Sequence, residues 1–416
     1  RIELAAELGH QRGEVGVVLR LAAFDAAGHR VLPVDVDAVE HAQRCTRATG
    51  TGRWSGWQDL ETHNTDHAAD AGSAERESGT VRGSTAPLWV GDSDGVDVRV
   101  RAEDASSRSR SGTGAAPLPA GLRVELVDPG DDPQEQPESV TPDAATPATA
   151  TSATVTPVST SPQPGALPAG ATLGLAAAES SAVNADLAPL GATRIPALSK
   201  AESQEQAVVA ASAKPYVGPR PGIVTRKGWG ADESLRERTF AYTSTVKAAF
   251  VHHSATGNNY TCAQAPSVLR SIYRYHVKSS GWRDFGYNFA IDKCGTIYEG
   301  RAGGVTKAVL GAHTLGFNTN TMGIAVLGSF GSTNPPAAAV DAIAKLTAWK
   351  LGLFGRNPKG KVTLVSGGSG KYAKGVSVKL NVISGHRDGF ATECPGIRLY
   401  NKLGAARTTS AKLQGR

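Results

Sequence analysis

No stretch of the 416 residues approaches the roughly 18 consecutive apolar residues that a bilayer-spanning helix needs, so no transmembrane segment is expected. No secretory leader is visible, and the chain begins at Arg1 rather than Met, which leaves room for a leader lost by processing or truncation. Cysteine is scarce: Cys45, Cys262, Cys294 and Cys394. If Cys394 binds a metal, Cys262 and Cys294 can pair and Cys45 is left over. No aromatic residue occurs between Trp89 and Tyr216. Neither a recognition helix nor an aromatic–basic RNA motif is present, which argues against nucleic acid as a partner.

The length calls for two domains or more. The net charge of +6 hides a division: residues 1–214 carry −12 and the chain from Pro215 onward +18. The basic part expects an anionic surface, and an anionic cell wall fits better than nucleic acid. Residues 1–128 read as a β-rich, sandwich-like accessory domain, with strand patterns at 16–21, 95–100 and 121–127. Trp54, Trp57 and Trp89 supply its large side chains. The segment Arg53–Trp57 suits a carbohydrate-stacking platform, but the favoured reading makes it core and turn. His63 and His67 lie four apart in a polar loop without further ligands and are expected to be solvated. Residues 129–214 are rich in Pro, Ala, Thr and Ser and cannot offset their ordering entropy, so they read as a mostly disordered linker with at most transient helix. Such linkers are common between secreted modules.

Residues 215–416 turn globular. Val246–Val251 is a strand, Pro266–Lys278 an amphipathic helix, Tyr287–Ile291 and Thr296–Glu299 a hairpin, and Met322–Gly328 a central strand. Pro336–Leu353 reads as a helix, Val382–Ser384 as a last strand leading into His386, and Gly396–Leu403 as the start of a closing helix. The alternation predicts an α/β fold, a mixed central sheet flanked by helices.

His386 and Cys394 bracket a polar, glycine-containing loop, and imidazole and thiolate both suit Zn²⁺. A third ligand must come from elsewhere, and Phe250-Val251-His252-His253-Ser254 reads as a buried strand ending in imidazoles. Neighbours on a strand point to opposite faces, so only one of the two histidines can face a metal. Five motifs then occur in order: Phe250–Thr256, Gly286-Tyr287-Asn288-Phe289, Tyr298-Glu299-Gly300-Arg301, Gly311-Ala312-His313-Thr314 and the loop from His386 to Cys394. Over roughly residues 216–405 this set resembles the type 2 N-acetylmuramoyl-L-alanine amidases, the family that includes the peptidoglycan recognition proteins. Trp229-Gly230-Ala231 resembles the recognition-protein branch.

The resemblance implies a secreted, cell-wall-associated, zinc-dependent enzyme that cuts the amide between N-acetylmuramic acid and L-alanine of peptidoglycan. It implies His252, His386 and Cys394 as zinc ligands, Tyr287 as a hydroxyl donor to the zinc water or oxyanion, and His313 as a substrate contact. Arg301 and Asn318 are candidates for stem-peptide contacts. The amidase-type phage lysozymes, which belong to the same family, carry Lys two residues before the Cys, where this chain has Thr392, as active recognition proteins do. Thr is no useful base, so Thr392 is expected to donate a hydrogen bond or orient water, with Glu299 and Asp388 as alternative carboxylates for the proton. In the secreted context Cys262 and Cys294 are expected to form a disulfide. The competing reading is a non-catalytic module that binds muropeptide; such relatives typically lack the Cys ligand, which is present here as Cys394.

Overall fold

The computed structural model describes residues 2–7, 16–22, 39–61, 66–78, 85–102, 123–130, 173–209 and 216–416. In the N-terminal region the strands are β1 (Ile2–Glu7), β2 (Gly16–Ala22), β3 (Val39–Ala48), β4 (Gln58–Leu60), β5 (Leu88–Ala102) and β6 (Arg123–Val127). They form one antiparallel sheet in the order β4-β3-β5-β2-β6, with β1 also paired to β5. Alternation along β5 sets its faces: Val96, Val98 and Val100 are buried, while Asp97 and Arg99 between them are half-buried. Between β4 and β5 a short helix, α1 (Ala74–Glu77), is capped by the Ser73 hydroxyl, which accepts from the Arg76 amide.

Trp89 is buried, as expected of a core aromatic, but Trp54 and Trp57 are 47% and 40% exposed. The expectation that they fill the core is overturned. The connection from β3 to β4 carries both outward, where the Arg99 guanidinium lies 4.1 Å from the Trp57 ring centroid and that of Arg47 lies 5.7 Å from Trp54. Cys45 is a buried free thiol.

The expected linker needs a correction. Its residues 131–172 and 210–214 lie outside the described residues. Residues 173–209, however, fold as α2 (Leu175–Ala182), β7 (Arg194–Ile195) and α3 (Lys200–Val209). Ala188, Ile195 and Ala207 enter the main core of the C-terminal domain. The Asn184 amide donates to Glu299 at 2.8 Å, and its oxygen accepts from the Val305 amide at 2.9 Å. These small apolar side chains cannot bury one another; a partner surface provides the burial, and local composition does not report that surface.

The C-terminal domain adds β8 (Ile223–Val224), β9 (Ala248–His253), α4 (Ala265–Arg274), β10 (Phe289–Ile291), β11 (Ile297–Glu299), β12 (Thr321–Val326) and α5 (Ala337–Leu353). There follow the hairpin β13 (Lys361–Val365) and β14 (Ser377–Asn381), then β15 (Ile383–Gly385), α6 (His386–Gly389), α7 (Ile397–Tyr400) and α8 (Leu403–Gln414). The mixed sheet runs β15-β9-β12-β10-β11-β8-β7. β15, β9, β12 and β10 are mutually parallel, whereas β11 turns back on β10. Because helices cover both faces, β9 and β12 are buried along their whole length and read as continuous apolar runs.

On one face α5 and α8 pack through Ile343, Leu346, Leu403 and Ala406. On the other, α4 contributes Val268, Leu269 and Ile272 to a cluster that also contains Trp89 and Val127 of the N-terminal region. The hairpin turn is tied to the loop before α4 by a Cys262–Cys294 disulfide with Cα atoms 6.2 Å apart, as expected. Closing a loop of that length contributes about 3–4 kcal/mol on a chain-entropy account. Among the described residues, no helix is long and apolar enough to cross a membrane.

Candidate metal centre

Parallel strands β9 and β15 end side by side, so the residues that follow them meet at one edge of the sheet. The two histidines of β9 part as the strand geometry requires. His252 turns to the interior, with Nε2 3.3 Å from the Thr314 hydroxyl and Nδ1 3.8 Å from the Cys394 sulfur. His253 pairs instead through Nε2 with Glu61 at 2.9 Å. β15 delivers His386 at the first position of α6, where Asp388 accepts from the Gly385 amide at 2.9 Å and from the Tyr400 hydroxyl at 2.7 Å. Asp388 therefore fixes the loop. Cys394 returns to the site with its amide on the Thr392 hydroxyl at 3.2 Å and its sulfur accepting from the His253 amide at 3.4 Å.

A fourth side chain stands with these three, one that the sequence pattern did not place at the site. His67 is buried, and the ligand atoms of His67, His252, His386 and Cys394 all lie within 4.8 Å of one another. The expectation that His67 is solvated fails; its partner His63 lies outside the described residues. The His67 and His386 ring centroids are 4.4 Å apart, as are those of His252 and His386. The only local sign was its neighbour Asp66, which accepts at 2.9 Å from His67 Nδ1. The other three ligands are far along the chain.

The electrostatics of His252, His386 and Cys394 fit a cation, while the carboxylates of Asp66 and Glu61 raise the pKa of His67. Burial pushes His252 and His386 well below the usual imidazole range, so both are neutral with lone pairs to offer. Burial also pushes the Cys394 thiol well up, and a divalent cation would reverse that cost by taking the thiolate. Both His386 ring nitrogens and His67 Nε2 are buried without hydrogen-bond partners. Buried polar atoms seldom stay unmatched, and three imidazoles with one thiol suit a borderline-soft divalent ion.

Tyr287 is buried beside the group, its ring 5.2 Å from that of His252 and 5.9 Å from that of His67. Burial, helped by the negative charge of Asp66, pushes its pKa well up, so the hydroxyl keeps its proton. Thr392 is half-buried. His313 lies fully buried behind His252, its Nδ1 3.0 Å from the Thr314 hydroxyl, and burial lowers its pKa to about 3. Gly323 and Gly311 make room for it: a Cβ at either would come within 2.4 or 2.6 Å of the ring.

Arg301 makes a two-pronged ion pair with Glu75 at 2.8 and 2.9 Å. The Asn318 side-chain amide donates to the Ala68 carbonyl at 2.8 Å and to Asp70 at 2.7 Å. Two of the residues expected to contact substrate, Arg301 and Asn318, are thus engaged by segment 66–78 of the N-terminal region. Glu299 is neither solvent-facing nor at the metal group; it is buried in β11, held by Asn184 and the Arg226 amide, and burial raises its pKa to about 7.

Residues 242–397 match the sequence model of a family described as N-acetylmuramoyl-L-alanine amidase, and residues 30–121 match one described as Rv3811 N-terminal galactose-binding domain-like. Peptidoglycan-recognition protein SC2 of Drosophila simulans is 30% identical over 181 residues, spanning 44% of this chain and 84% of that protein. A peptidoglycan recognition protein of Trichoplusia ni is 29% identical over 182 residues, 44% of this chain and 85% of that one. Among solved structures, wild-type Drosophila PGRP-LB is 27% identical, covering 44% of this chain and 92% of its own, with a TM-score of 0.35.

Proposed function

We propose, for a chain that belongs to the family of N-acetylmuramoyl-L-alanine amidases and peptidoglycan recognition proteins, that it is a zinc-dependent amidase hydrolysing the bond between N-acetylmuramic acid and L-alanine of peptidoglycan. The observation that carries this reading is Cys394, whose sulfur lies among the imidazoles of His252 and His386. We take it to be a secreted protein working at the cell wall, in keeping with the +18 charge from Pro215 onward and the attraction of that charge to an anionic surface. Its catalytic unit begins near residue 173, and the β-rich unit ends near residue 130.

His252 would hold the ion through Nδ1, because its Nε2 faces the Thr314 hydroxyl. His386 and the Cys394 thiolate complete a three-residue set. Zinc held by these residues would supply Lewis acidity for the scissile carbonyl and would lower the pKa of a water towards about 7. Tyr287, protonated and adjacent, donates its hydroxyl to the developing oxyanion. Thr392 fixes the Cys394 amide and orients water from its half-buried position. Glu299 and Asp388 take no part in proton transfer, since each is committed to structural hydrogen bonds away from the ligands.

The test is release of new N-terminal alanine, without new reducing sugar, from purified peptidoglycan. It is run on the zinc-loaded full chain and on its His67→Ala variant, because that imidazole shares the site. Release that disappears in Cys394→Ser is the expected result. Stoichiometric zinc and muropeptide binding with no alanine released by either protein would leave a binding module in place of an enzyme.

A further inference from the structure

We infer that His67 is the fourth ligand of the metal, and that segment 66–78 of the N-terminal region thereby holds the full chain in a latent state; the latency rests on the amidase reading above, the ligation does not. Three protein ligands leave zinc a position for water, whereas four close it. Four ligands at ordinary zinc bond lengths stand roughly 3.3–3.7 Å apart. The atoms here, all within 4.8 Å, need only a small contraction to reach that spacing. The tautomer is also arranged. Asp66 takes the Nδ1 hydrogen of His67 at 2.9 Å, which leaves Nε2 as the free lone pair, buried and without a partner.

The segment carrying this imidazole is docked along its length. The Leu315 amide donates to the Asp66 carbonyl at 3.0 Å, and the Gly316 amide donates to Asp70 at 2.7 Å. Asn318 is engaged by Ala68 and Asp70, Arg301 by Glu75, and His253 by Glu61 just before the segment. Ala69 fills an apolar contact with Trp282 and Ala312. Carboxylates of the acidic half thus meet cationic and amide groups of the basic half. They occupy the two side chains, Arg301 and Asn318, that a stem peptide with its own carboxylates and amides would need. The segment stands where substrate must lie, and its histidine stands where the attacking water must form. Reaction requires both to withdraw.

The experiment replaces zinc by Co²⁺ in the full chain and reads the visible spectrum with and without excess azide. The wild type is expected to show an intense four-coordinate spectrum that azide does not alter. His67→Ala should respond to azide, bind the metal about 10–100-fold more weakly, and recover the wild-type spectrum on addition of imidazole. With zinc restored, it should release alanine from peptidoglycan at least about tenfold faster than the wild type. Glu75→Gln leaves every ligand in place but cuts the Arg301 pair, and should give a partial azide response without loss of fold. A wild-type spectrum as azide-sensitive as that of His67→Ala would overturn the ligation. Equal alanine release by the two would overturn the latency while leaving the amidase standing. No release from either, with the spectral difference intact, would overturn the amidase reading and the latency with it, and keep the four-ligand site.

Discussion

Glu299→Gln isolates a buried acid whose protonation is linked to folding. Glu299 is 2% exposed at the end of β11. Burial raises its pKa to about 7, against the pull of Asn184 and Arg226, which favour the charged form. In the unfolded chain the same group titrates near 4.3. Between those values the folded state holds a proton that the unfolded state has lost, so stability falls as pH rises through this window. Below about pH 4 the group contributes no difference; above about pH 7 the penalty is fully developed.

The separation of pKa values puts the change between pH 5 and pH 8 at about 2.5 kcal/mol. Gln keeps the acceptor for Asn184 and loses the one for the Arg226 amide, a pH-independent loss of about 1 kcal/mol. Urea unfolding of the chelator-treated full chain, followed by tryptophan fluorescence, gives both proteins at both pH values. The variant should gain about 2–3 kcal/mol on the wild type on going from pH 5 to pH 8, at unchanged m-value. A difference that is flat with pH, or of opposite sign, would refute the assignment of a buried, mostly neutral carboxyl.

Two further outcomes follow from the site. Tyr287→Phe, made in the His67→Ala background so that turnover is visible, should keep zinc and lower alanine release by about 10²–10³ through loss of one oxyanion donor. Thr314→Val removes the hydroxyl between His252 and His313 at nearly constant volume. It should weaken zinc binding about 10–100-fold in a chelator competition, with fold retained by circular dichroism.

Much of the C-terminal domain was legible in the sequence because its signals are local. An apolar run ending in His252 reads as a buried strand, and strand alternation already separates His252 from His253. The helix of residues 337–353 follows from a short pattern in the same way, whereas the Cys262–Cys294 pairing follows from the secreted context and from Cys394 being taken as a ligand. The hairpin of β13 and β14 escaped notice: it is a two-stranded ribbon, largely exposed, so its sequence lacks a continuous apolar run. What could not be read locally depends on surfaces distant in sequence. His67 looks like a solvated loop residue until the fold brings ligands from 252, 386 and 394 around it. Trp54 and Trp57 carry the composition of a core but face water beneath arginines. Leu175–Val209 carries the composition of a tether yet includes an edge strand.

That last segment changes where the C-terminal domain can be cut from its neighbours. A single amide, Asn184, answers two interior groups at once, the Glu299 carboxyl and the Val305 N–H. Begun at residue 215, where the motifs start, the domain would leave the Val305 N–H unmatched and the Glu299 carboxyl with the Arg226 amide but without Asn184, and would strip β7 from the border of its sheet. Transplanting this domain onto another protein therefore means carrying residues 173–209 with it, as one wall of the fold and not as packaging.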